Sequence, residues 1–166
     1  MILTPTNLWK MMMPTRQKLE SGQVIVIIAI MMTGLLAMVG LAIDGGDLYF
    51  RQRDAQNATD AAALAAAMAQ CTGTDVESAA RRLAKANGFE DGVNDVVVDI
   101  NFLEPTQRGR FRRTYVEVIV YAKKPPYFIQ VVYDNEIIVT ARSVGVCIST
   151  KSRRNKYYPT EFGLAE

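Results

Sequence analysis

The chain has 166 residues, with 19 Lys and Arg against 17 Asp and Glu, and a formal net charge of +2. That length suggests one domain with an appendage, and the near-balanced charge singles out no polyanionic partner. His, the commonest general base and metal ligand, is absent, and the two Cys are too few for a zinc site or a disulfide scaffold.

Residues 1–23 form an N-terminal segment carrying Lys10, Arg16 and Lys18. Val24–Ile43 follows without a charge, Thr33 being its most polar side chain. Twenty residues at ~1.5 Å rise cover ~30 Å, the hydrocarbon thickness of a bilayer. This predicts a transmembrane helix with membrane lipid as its partner. A core helix of a soluble domain is the alternative, but the remaining chain is too small to wrap it. A cleaved secretory signal has an apolar region of only ~7–15 residues, shorter than this one. The basic residues before the span outnumber Arg51 and Arg53 after it, which places the N-terminus in the cytoplasm. The cysteines, both after the span, point the same way, since disulfides persist outside the cytoplasm. Within the span, Ala29, Thr33 and Ala37 put small side chains on one face, suited to packing against another helix or to plain lipid exposure.

Asp44, Gly45 and Gly46 end the apolar run, and their glycines predict a bend or local melting at the membrane surface. Asp44, Asp47 and Asp54 have no metal-ligand spacing and are expected to pair with Arg51 or Arg53. From Leu48 to Gln70 strong helix formers resume. Residues 44–70 therefore read as an Ala-rich helix extension, with Ala58, Ala62, Ala65 and Ala69 on one face beside Ala55 and Leu64.

Several of these features together resemble the N-terminal Tad-type domain of TadE/TadG-like proteins from bacterial Flp (tight adherence) pilus systems. They are Gly22-Gln23 ahead of the span, Gly40-Leu41-Ala42-Ile43-Asp44-Gly45-Gly46, Leu48-Tyr49, and Gln56-Asn57-Ala58-Thr59-Asp60 running into the alanines up to Ala67. The close resemblance covers about Gly22 to Gln70. It implies a pilus-associated subunit in the bacterial cytoplasmic membrane or at the cell surface. Its partners would be other pilus or assembly subunits, reached through the N-terminal helix. It also suggests Gly22/Gln23 as a candidate leader-cleavage site. Prepilins carry Glu at the fifth mature position, where this chain has Ile27. The chain is too short for the von Willebrand factor A domain of larger TadG proteins and has no D-x-S-x-S motif, so metal-dependent adhesion is not implied.

Residues 71–150 are expected to form an extracytoplasmic α+β domain. Thr74 with Glu77 reads as a capping box, Val76, Ala79, Ala80, Leu83 and Ala86 as an apolar helix face, and Gly88 as the C′ residue. Val96, Val98, Ile100 and Phe102 alternate as a strand, as do Val116, Val118, Val120 and Ala122. Arg-rich Glu104–Arg113 between them reads as a hairpin loop. Pro125-Pro126 opens a short helix with Phe128, Ile129, Val132 and Tyr133. Glu136–Ile148 is the last strand, with Ile137, Val139, Ala141 and Cys147 on one parity. Residues 151–166 read as a basic tail, either a free end or a strand-edge contact. The fold class is thus α+β: a long N-terminal transmembrane helix continuing into a small pilin-like domain with an antiparallel sheet of about three strands. A Cys71–Cys147 bond would close a loop of about 75 residues, worth up to ~4 kcal/mol; two free buried thiols are the alternative.

No nucleophile elbow, P-loop or Cys-x-x-Cys occurs, so no catalytic residue, metal site or cofactor is expected. The cluster Arg108, Arg110, Arg112, Arg113 with Phe111 suits either a solvated loop or an acidic polymer, and no nucleic acid is expected as partner. Two functions compete: a structural or assembly component of a pilus, and a membrane-tethered binding module outside the fibre.

Overall fold

A computed structural model describes residues 21–131, 135–152 and 156–165. The chain divides into two compact units, residues 1–38 and Val39–Glu166. Helix α1, Ser21–Thr72, contributes to both.

In the first unit every described side chain from Gly22 to Met38 is exposed. The Thr33 hydroxyl donates to the Ala29 carbonyl at 2.8 Å, which satisfies the one hydroxyl in the apolar run. Helix α1 holds a stretch long and apolar enough to cross a membrane.

The second unit combines the rest of α1 with α2 (Val76–Ala86), β1 (Val96–Arg108), β2 (Phe111–Lys124), a 3-10 turn (Ile129–Val131), β3 (Ile137–Lys151) and β4 (Tyr157–Leu164). The four strands form one antiparallel sheet in the order β1-β2-β3-β4. Alternation along the strands sends Val98, Val116, Val118, Val120, Val139 and Ala141 to one face, where they meet the alanines of α1. Those alanines are Ala55, Ala58, Ala62, Ala63 and Ala66. The stripe is rotated from the expected one: Leu64 is exposed and Ala65 only half-buried. Only the smallest side chains fit on the sheet side. The tightest point is at β3, where a Cβ on Gly145 would lie 2.1 Å from the Ala63 carbonyl oxygen. Further along, Cys71 is bonded to Cys147 with Cα atoms 5.5 Å apart. The closed loop, with a sequence separation of 76, is worth roughly 4 kcal/mol by chain entropy.

Four local expectations are corrected. The N-cap of α2 is Asp75, whose carboxylate accepts from the Ser78 N–H; Thr74 instead hydrogen-bonds the Ala69 carbonyl at the end of α1. On the inner face of α2, Ala84 is buried, whereas Ala86, the last residue of the helix, is exposed. Glu104–Arg113 is not a loop: β1 and β2 pair out to Arg108 and Phe111, leaving a turn of Gly109-Arg110 with Gly109 at φ 64°. A glycine of positive φ at the first position of a two-residue hairpin turn fits the right-handed twist of the strands. Finally, the tail contains β4, paired with β3 from Lys151↔Tyr157 to Gly145↔Leu164. Its Pro159 and a register shift break the alternating pattern, as proline is tolerated on an edge strand.

The close approach at Gly145 gives a direct prediction. Gly145→Ala must push α1 off β3 and is expected to destabilise the domain by about 1–3 kcal/mol. Thermal unfolding of the full chain in detergent checks this, and an unchanged midpoint would contradict the packing.

Candidate functional site

Asp44 is where the second unit differs most from its sequence reading. It is helical, as are Gly45 and Gly46, so α1 does not melt there. It does not pair with an arginine or lie at a polar surface; it is 2% exposed. Its carboxylate accepts the backbone N–H groups of Tyr127 (3.0 Å), Phe128 (2.9 Å) and Ile129 (2.7 Å). The sequence explains why these donors are free. Pro125 and Pro126 end β2 and supply no N–H, and the following turn has no strand partner for its first amides. The carboxylate fills the place of a capping side chain contributed from another element. The expected short helix is accordingly only a 3-10 turn at Ile129–Val131; Val132 and Tyr133 lie outside the described residues.

Neighbouring contacts hold this clamp. Lys124 pairs with Asp47, one turn along α1, and its ammonium lies 4.8 Å from the Tyr127 ring centroid. Gly40, one turn before Asp44, is buried: a Cβ there would meet the Phe128 side chain at 3.1 Å. Burial pushes the Asp44 carboxyl up, but the amides of Ile129, Phe128 and Tyr127 and the charge of Lys124 outweigh it. Its pKa is therefore held below the ordinary carboxylate value. Beside the clamp a cleft of about 500 Å³ is lined by Arg51, Lys85, Lys123 and Lys124 together with Glu90 and Asp95.

The opposite end of the sheet carries the arginine cluster. Arg112 and Lys151 both approach the Tyr157 ring, at 5.8 and 5.9 Å, and the Tyr157 hydroxyl accepts from Gln107 at 2.8 Å. The four arginines thus lie on and beside paired strands rather than in a loop. On the face away from α1, Glu117 pairs with Arg142 and accepts from Asn101 at 3.1 Å. Among the described residues, no group of three or more His, Cys, Asp or Glu is placed to hold a metal.

The other expected site residues are spread along α1. Gly22 and Gln23 lie in its first turn, and Ala29, Thr33 and Ala37 share an exposed face. Cys71 and Cys147 are joined. Sequence reasoning missed Gly40, Lys124, Phe128 and Gly145. The available signal was the i, i+4 spacing of Gly40 and Asp44, which continues through Leu48 toward Ala55 as one inward stripe.

An apolar helix, long enough to cross a membrane, that leads into a helix-on-sheet α+β domain is a pilin-like architecture. Within it, residues 22–69 match the family described as "Putative Flp pilus-assembly TadE/G-like". The matched segment spans the apolar run, Asp44 and the alanine stripe together. No curated protein matches the chain.

The clamp predicts a selective effect of Asp44→Ala. Amides of residues 127–129 should lose hydrogen-exchange protection while those of the β2–β3 ladder keep theirs. A lowered folded-state pKa means that the carboxylate contributes fully above the unfolded value and is lost as pH falls through the folded one. The wild-type protein should therefore lose the same protection only below about pH 4. Equal protection in variant and wild type would contradict the clamp.

Proposed function

We propose that the protein is a non-catalytic structural or assembly component of an Flp pilus system, anchored by Val24–Ile43 with its α+β domain outside the cytoplasm. The observation that carries this reading is the family match over residues 22–69, which coincides with the helix that is both apolar enough to span a membrane and built into the folded domain. The disulfide supports the orientation, since it requires an oxidising compartment. The exposed face bearing Ala29, Thr33 and Ala37 suits lateral packing against other helices of the assembly. Cleavage after Gly22 would leave Gln23 as the first residue of a mature subunit. Ile27 then stands where a pilin has its glutamate, which favours an accessory or assembly role over the repeating subunit.

Mass spectrometry of sheared surface fibres and of the membrane fraction tests the role. An assembly component is expected in the membrane fraction and at most sparsely in fibres. Abundance in fibres equal to that of the major pilin, starting at Gln23, would replace the assembly role with that of a principal subunit. Unimpaired piliation after deletion of the gene would overturn the proposal.

A further inference from the structure

We propose that Pro125–Val131 is a second membrane contact, a wedge that enters the bilayer interface beside α1 and is held there by Asp44. The inference rests on the reading of Val24–Ile43 as the membrane span. Phe128 packs on Gly40, which lies inside that apolar run, within one helical turn of its end. The wedge therefore sits at the depth of the last turn of the span. Its apolar side chains remain half or more exposed: Val131 is 85% exposed, Tyr127 56% and Phe128 51%. On α1, Tyr49 and Phe50 are also exposed, a little further out. Tyrosine rings at this level match the aromatic belt of membrane proteins.

The backbone of the wedge makes the same case. Irregular chain is tolerated at membrane depth only when its polar groups are bonded within the protein. Pro125 and Pro126 have no N–H to satisfy. The next three N–H groups are taken by Asp44, and the N–H of Val131 by the Phe128 carbonyl at 3.2 Å. The Tyr127 carbonyl accepts from the Gln130 side chain at 3.0 Å. The occupant that fits is the lipid interface, because the half-exposed Phe128 packs on Gly40, inside the apolar run, where the neighbouring Val39 is exposed as well.

Depth-dependent quenching tests the wedge. The full chain, with its single Trp removed by Trp9→Phe, would be reconstituted into phosphatidylcholine–phosphatidylglycerol vesicles containing lipid brominated either near the glycerol end or near the methyl end of its acyl chains. Three variants each carry one reporter: Val131→Trp in the wedge, Leu35→Trp in the span and Phe111→Trp at the far hairpin. Val131→Trp should be blue-shifted and quenched most by the shallow bromine, Leu35→Trp by the deep one, with Phe111→Trp unaffected by either. If Val131→Trp behaves like Phe111→Trp while Leu35→Trp is quenched, the wedge is overturned and the span stands. If Leu35→Trp is also unquenched, the span itself fails and the wedge falls with it.

Discussion

The carbonyl of Ala63 occupies the space where a side chain on residue 145 would otherwise lie. That close approach of α1 to β3 sets the rest of the second unit. A helix this near a sheet presents small side chains, which is why the buried stripe from Ala55 to Ala66 is alanine apart from Thr59, whose hydroxyl is bonded back to the carbonyls of Ala55 and Gln56. The volume of the core then comes from the sheet, from the valines of β1 and β2 and from Val139. Each buried methyl contributes little, so the packing depends on many small contacts along the helix. Contacts at both ends of the stripe add to it. At one end the Cys71–Cys147 bond joins α1 to β3; at the other the Asp44 carboxylate gathers three amides of the turn after β2.

The two ends do different chemistry with the same aim. The disulfide works mainly on the unfolded chain, by closing a long loop. The carboxylate works on the folded state. Three N–H groups and a nearby ammonium offset the cost of burying its charge, so it remains ionised in a place with almost no solvent access. The aspartate that looks from its position like the polar end of the apolar run is thereby part of the interior. Polar exposure along α1 resumes only beyond it.

Much of this architecture was legible in sequence. The uncharged run Val24–Ile43, the alternation of Val116, Val118, Val120 and Ala122, and two cysteines on opposite sides of the domain led to the helix, the central strand and the disulfide. What was hidden has physical causes. The alanine run offers no contrast between faces, so the stripe could be placed off its true position, with Leu64 and Ala65 in it and Ala63 and Ala66 left out. Glu104 to Arg113 looked like a loop because charged side chains are compatible with an exposed strand end as well as with a turn, and of these residues only Gly109 has a positive φ. β4 was masked by Pro159, which interrupts the pattern of an edge strand without preventing its pairing. The clamp depends on residues more than 80 positions apart, Asp44 and Tyr127 to Ile129, and no local pattern connects them.

The alanine-rich half of α1 is an integral wall of the domain rather than a stalk that carries it. Hydrogen exchange of the full-length protein in detergent measures this most directly. Amides from Ala55 to Ala69 should be protected to the same free energy as those of β2 and should lose that protection in the same cooperative step. Early exchange across Ala55–Ala69 with β2 still protected would contradict it.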